Sequence, residues 1–207
     1  YVFLPNTGIG ILSIFFTVFC VIGLTNSFNF IDGADGLCSG LFIISLSSLL
    51  FYSYINGTLY LIEDLNIIYI LLISTILFLF FNFTKKFKIF LGDSGSMFLG
   101  FIISWLLILY TQKYEIIHPV LAIWCVTLPS FDIITVVIRR MLRGKNPFKP
   151  DRRHIHHILL DREIGKTIVT LTLLIFAIFL NITGVIVLTY LGPSFSILAF
   201  VILFILY

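Results

Sequence analysis

Four polar side chains set three residues apart carry the first chemistry visible in this sequence. They are Asn26, Asn29, Asp32 and Asp35, within Asn26-Ser27-Phe28-Asn29-Phe30-Ile31-Asp32-Gly33-Ala34-Asp35-Gly36-Leu37. On a helix, neighbouring members of that series share a face, with a slow drift because the period is about 3.6 residues. Gly33 and Gly36 interrupt the helix, and a glycine beside each carboxylate lets the backbone turn sharply or come close to a ligand. Two carboxylates at that spacing can hold a divalent cation or a polar nucleotide group. The plainer alternative is that the aspartates cap a helix beginning near Leu37. Capping accounts for one Asp and leaves the second Asp and both Asn unexplained.

Two further stretches carry chemistry. Phe90-Leu91-Gly92-Asp93-Ser94-Gly95-Ser96 lies at a predicted helix start, where free backbone N–H groups and the helix dipole favour phosphate. A cation held by Asp93 would add to that preference. Here the alternative is an N-cap box with Asp93 or Ser94 as the cap. The other stretch is Asn146-Pro147-Phe148-Lys149-Pro150-Asp151-Arg152-Arg153-His154-Ile155-His156-His157. Its prolines exclude a continuous helix across 146–150, and Asp151 can cap a short helix carrying His154 and His157 on one face. The imidazoles beside Arg152 and Arg153 suit a cluster that grips phosphate through guanidinium forks and ring N–H donors. A zinc site lacks the Cys or carboxylates to complete four ligands, and a solvated loop touching anionic headgroups is the plain alternative. Asp132 follows Pro129 in an apolar run and lies seven residues before Arg139, about 10 Å along a helix. It is read either as a supporting partner of the site or as a structural Asp paired to a neighbouring helix.

These groups sit between membrane-length segments. The chain has 207 residues, 59% hydrophobic and 11% charged, with a mean hydropathy of +1.12, against about 45–50% apolar and 25% charged in soluble domains. Its apolar runs match the roughly 30 Å hydrocarbon core and lack the alternation of a membrane β-barrel. The fold class expected is an all-α integral membrane protein, a polytopic helical bundle forming a single transmembrane domain over 1–207. About seven spans are predicted, over 9–27, 37–55, 66–83, 97–111, 119–138, 167–190 and 194–207. Connections at about 28–36, 84–96 and 139–166 fall on one face, and of the 13 Lys and Arg only Lys113 lies outside them. The positive-inside rule makes that face cytoplasmic. It carries Asp32, Asp35, Asp93, Asp132 and the three histidines, whereas Glu63, Asp64, Glu115 and His118 fall on the other. Cys20, Cys38 and Cys125 are isolated in or beside apolar runs and read as small buried residues.

The stretches 26–37, 90–101 and 147–160 together resemble the polyprenyl-phosphate N-acetylhexosamine-1-phosphate transferases of glycosyltransferase family 4. That family includes the enzymes that initiate enterobacterial antigen and teichoic acid, and the peptidoglycan translocase. The Pro-Asp-x-x-His-x-His-His form is similar to the branch that uses UDP-N-acetylglucosamine. The resemblance implies a Mg2+- or Mn2+-dependent enzyme of the bacterial inner (cytoplasmic) membrane with its active site facing the cytoplasm. It would transfer N-acetylhexosamine 1-phosphate from a UDP-sugar to undecaprenyl phosphate and release UMP, initiating a lipid-linked cell-surface glycan such as O-antigen, teichoic acid or cell wall. Under it Asp93 is the metal ligand, and Asp32, Asp35, Asp93 and His154 are catalytic. Asn26, Asn29, Gly33, Ser94, Arg152, Arg153, His156 and His157 bind substrate. Partners are the UDP-sugar, the lipid phosphate and the bilayer, with no nucleic acid, and a homodimer is compatible. Family members also carry an Asp-Asp motif on an earlier helix and about ten or eleven spans. This chain has no adjacent Asp pair and begins at Tyr1, so it is expected to be the C-terminal part of a larger enzyme. The alternatives are a phospho-MurNAc-pentapeptide transferase, a cation or proton transporter that would use the same Asp and His, and an inactive membrane remnant.

Overall fold

The computed structural model describes residues 12–61, 65–84, 86–146 and 154–207. Every full regular element among them is helical: α1 (Leu12–Ile31), α2 (Leu37–Ile55), α3 (Leu65–Phe83), α4 (Gly92–Ile108), α5 (Pro119–Cys125), α6 (Thr127–Leu142), α7 (Ile155–Leu160), α8 (Lys166–Leu191) and α9 (Pro193–Leu206). A π-helical turn, Leu109–Lys113, extends α4. Five helices are long and apolar enough to cross a membrane: α1, α2, α3, α4 with its extension, and α8. The expected spans thus appear as helices, the segment 194–207 as one of 14 residues that runs to Leu206, with one departure. The segment 119–138 is broken into α5 and α6, bent by 80°.

The break has a local cause. Pro129 has no N–H to donate to the carbonyl four residues earlier, that of Cys125, and its ring crowds that carbonyl. A side chain takes the place of the missing donor: Ser45 Oγ donates to the Cys125 carbonyl at 2.7 Å. Ser27 Oγ donates to the Pro129 carbonyl, which ties α6 to α1. The chain therefore enters α6 in a new direction with the Cys125 and Pro129 carbonyls both hydrogen-bonded, as apolar surroundings require.

Helices α2 and α8 form the centre. α2 packs on α3, α4, α5 and α8, and α8 also meets α5, α6, α7 and α9. The closest pair is α1 with α4, and Gly100 makes it possible: a Cβ there would lie 2.8 Å from the Thr25 Cα. Small residues at helix crossings give membrane bundles the backbone approach that hydrophobic pressure cannot supply in lipid. The core between these helices holds Phe28, Phe42, Leu46, Ile103, Leu106, Trp124 and Leu180. Outward faces of α1 and α3 expose Phe15, Phe19, Ile70, Ile73 and Phe80, apolar surface suited to acyl chains. The α1–α4 contact matters most for function, because both helices end in polar stretches.

Candidate active site

Asn29 stands in the last turns of α1 and Asp93 in the first turn of α4. The close α1–α4 packing brings them together. Asn29 Nδ2 donates to Asp93 Oδ1 at 3.2 Å and to Ser96 Oγ at 3.0 Å. Ser96, fully buried, passes its own proton to the Gly92 and Asp93 carbonyls, both at 3.1 Å. The first turn of α4 is thereby held rigid. Its start is capped by no side chain: Leu91 occupies the N-cap, so the N-cap reading of Asp93 or Ser94 does not apply. Asp93 and Ser94 are both exposed, and the Asp93 carboxylate sits where the helix dipole favours negative charge.

The turn after α1 carries the other two carboxylates. Gly36, at φ 74, caps α2 without a side-chain bond, so neither Asp32 nor Asp35 is a helix cap. Asp35 Oδ2 meets Lys88 Nζ at 2.7 Å, and the Asp35 carbonyl accepts from Thr170 Oγ1 of α8 at 3.0 Å. Asp32 is half-buried. Burial, with repulsion from Asp93 and Asp35, pushes its carboxyl up to about 6. Three carboxylates from two elements thus share one field, and among the described residues Asp35 is the one with a salt-bridge partner.

The histidine stretch closes over the same turn. Ring centroids of Phe30 and His154 are 5.2 Å apart. A Cβ on Gly33 would lie 2.2 Å from His156 Nε2, so the imidazole occupies the space where a side chain would be. His156 stacks between His154 at 6.1 Å and His157 at 4.1 Å and is fully buried. Burial first, then the neighbouring imidazoles, lowers its pKa to about 4. The ring expected to donate an N–H to phosphate is thus enclosed rather than open to solvent. His156 instead seats the loop on the turn, and of the imidazoles it leaves His157, half-buried, nearer to solvent. His154 is the N-cap of α7 and its Nδ1 pairs with Asp132 Oδ2 at 2.6 Å.

The last residues of α1 and the turn after it are therefore where all three sequence stretches meet: Asn29 reaches α4, Phe30 reaches His154, and Gly33 receives His156. Asn26 does not join them, since its amide donates to the Ile22 carbonyl one turn back at 2.8 Å. Arg152 and Arg153 lie outside the described residues, as do Glu63 and Asp64. Two contributors went unread in the sequence. Lys88 had counted only towards membrane orientation, although a Lys between two apolar residues near a carboxylate-rich turn is a candidate ion-pair partner. Ser96 stands three residues after Asp93, a spacing that shares a helical face.

The donor set is compatible with a divalent cation held largely by water and substrate oxygens. Among the described residues no group of three His, Cys, Asp or Glu side chains converges as a ligand cage. Mg2+ does not need one: it keeps several waters and binds through one or two carboxylates plus substrate phosphates. An exposed Asp93 whose negative charge repels that of a second carboxylate, Asp32, fits that mode.

Comparison with known proteins identifies the family. The family description Glycosyl transferase family 4 matches residues 1–111. The undecaprenyl-phosphate alpha-N-acetylglucosaminyl 1-phosphate transferase of Escherichia coli K12 is 35% identical over 157 residues, which is 73% of this chain and 42% of that protein. The protein of the same name from Yersinia pestis is 36% identical over 70% of this chain and 40% of its own length. A probable undecaprenyl-phosphate N-acetylglucosaminyl 1-phosphate transferase of Bacillus subtilis is 36% identical over 82% of this chain and 47% of its own length. The chain thus spans less than half the length of these relatives. With a match over more than half of its residues, and with the motifs gathered at the end of α1, this membrane protein belongs to glycosyl transferase family 4.

Proposed function

We propose that this chain forms part of an enzyme that transfers N-acetylglucosamine 1-phosphate from its UDP-sugar to undecaprenyl phosphate and releases UMP. The bridge from Asn29 to Asp93 and Ser96 carries this reading, because it joins two of the motifs into one open, carboxylate-lined site at the end of a membrane bundle. The named functions of the relatives support the choice of sugar and acceptor.

A lipid-phosphate oxygen attacks the sugar-linked phosphorus, the bond from that phosphorus to the bridging oxygen breaks, and UMP leaves with the electron pair. Phosphate is already ionised near neutral pH, so the protein's work is positioning and charge compensation. Asp93 would hold Mg2+, which when bound neutralises pyrophosphate oxygens. Asn29 fixes the Asp93 carboxylate towards the opening. Asp32 and Asp35 hold the nucleotide end, with Lys88 restraining Asp35. His154, His157, Arg152 and Arg153 compensate charge on the diphosphate and the leaving UMP. The outward apolar faces give the lipid tail a path to the site, and the basic connections support a reading in which the site faces the cytoplasm from the inner membrane. The reading does not extend to a homodimer.

Full-length protein is mixed with UDP-N-acetylglucosamine and undecaprenyl phosphate, with and without Mg2+, and UMP is measured. UMP release that needs both the lipid and the cation is expected. Cation or proton flux in vesicles without UMP release would replace the transferase by a transporter.

A further inference from the structure

Asp132 is the buried carboxylate that the mechanism above does not use. It enters from α6 a few residues beyond the 80° bend and is 3% exposed. A buried carboxylate is costly unless its oxygens find partners, and both do. Oδ2 lies 2.6 Å from His154 Nδ1, and Oδ1 accepts from the Ile155 N–H at 2.9 Å. These partners are 22 and 23 residues along the chain. The two oxygens grip consecutive residues, so the imidazole and the backbone at the head of α7 are fixed relative to each other. His154, itself 4% exposed, has the Phe30 and His156 rings beside it.

We propose that Asp132 is a positioning residue of the transfer site, holding the His154 ring proton on Nδ1 so that Nε2 is the nitrogen presented to the substrate phosphates. An ionised carboxylate only accepts, so the paired nitrogen must carry hydrogen. The other nitrogen is then an acceptor in the neutral ring and a second donor in the imidazolium. The geometry stands by itself, and the substrate named rests on the transferase reading. The same two contacts explain why α7 begins where it does: His154 makes no side-chain cap of its own, and a carboxylate from another helix satisfies the N–H of Ile155.

Asp132→Asn separates orientation from packing. The amide oxygen can still accept from the Ile155 N–H, but the amide nitrogen donates to Nδ1 and drives the ring proton to Nε2. In full-length protein, the 15N signals of the His154 ring, assigned with His154→Gln, are expected to exchange their protonated and unprotonated positions. Turnover falls about 10²- to 10⁴-fold, as when a His-orienting Asp becomes Asn elsewhere. KM for UDP-N-acetylglucosamine changes little, and Asp132→Glu restores part of the turnover. Unchanged ring signals in the folded protein overturn the proposal, even if the yield of folded protein drops, because that is the mark of a structural carboxylate. Exchanged ring signals with full turnover overturn it equally. If wild-type protein releases no UMP, the transferase reading fails, and the ring signals still decide whether Asp132 sets the tautomer.

Discussion

Asp93 and Asp132 are both carboxylates near helix starts, and they are used in opposite ways. Asp93 is exposed and engaged by one amide hydrogen of Asn29 at 3.2 Å, which leaves most of its acceptor capacity open. Asp132 is enclosed and has each oxygen committed. A carboxylate with free lone pairs at the surface can take a ligand, and one whose oxygens are both bound inside can only hold its neighbours in place. The same residue type therefore divides into a ligand-binding role on α4 and an orienting role on α6, and the division comes from burial.

The comparison breaks most visibly at Asp93. Asp93→Asn keeps the size of the side chain and can still pair with Asn29, so folding is expected to survive. Turnover should fall by a factor on the order of 10² or more, because the charge that compensates for a cation or orients phosphate is gone. Steady-state UMP release and a thermal melt on the same preparation check both halves. Near-normal turnover would place the cation elsewhere.

Gly33→Ala tests the seat of the histidine loop. The added Cβ would be 2.2 Å from His156 Nε2. That ring is held between His154 and His157, so it cannot simply swing away. Overpacking of this kind costs about 1–3 kcal/mol. A lowered melting temperature, together with lost turnover, is expected. A second variant, Gly33→Ala with His156→Ala, should recover stability, because the collision then disappears.

The sequence made much of this site legible, and the reasons are local. Asn29, Asp32 and Asp93 stand out because polar groups at the ends of apolar runs are costly and scarce. Helix positions followed from hydropathy and length alone. What stayed hidden needed tertiary contacts. The partner of Asp132 lies 22 residues away across an uncapped helix start, and no spacing rule links them. His156 read as a phosphate-binding N–H donor by type. Only its enclosure against Gly33 makes it neutral, and enclosure is a property of the packed loop. Pro129 stands inside a run expected to be one continuous span, and the 80° bend there is accompanied by a tertiary contact, Ser45 donating to the Cys125 carbonyl, that the sequence does not show.

The field of the open carboxylates predicts a pH dependence. Asp32 is raised from 3.8 to about 6 by burial and by Asp93 and Asp35. The unfolded chain ionises first, so the folded state is favoured below pH 4 and loses that advantage as pH rises through about 6. Asp32→Asn should therefore match wild type in acid and exceed it above pH 6. Because Asp32 is half exposed, the gain is on the order of 1 kcal/mol, below what complete burial would give. His156, lowered to about 4, acts with the opposite sign: its contribution is present above pH 6.5 and lost as pH falls through 4. Melting temperatures from pH 4 to 8 separate the two, and added Mg2+ should flatten the Asp32 limb by relieving the repulsion that raises it.

The smallest effect belongs to Lys88, which sharpens the contrast between open and committed carboxylates. Its pair with Asp35 is short at 2.7 Å, but both side chains are about one-third exposed, 33% and 31%. Solvent screening limits such a pair to under about 1 kcal/mol. Lys88→Met is thus expected to shift the melting temperature only slightly, and less still at high salt. It also removes the cation that pairs with Asp35 among the described residues, leaving that carboxylate as open as those of Asp32 and Asp93. If these groups bind the cation together, Lys88→Met should tighten the apparent Mg2+ affinity measured from UMP release. An unchanged Mg2+ dependence would confine the cation to Asp93 and leave Asp35 to the nucleotide.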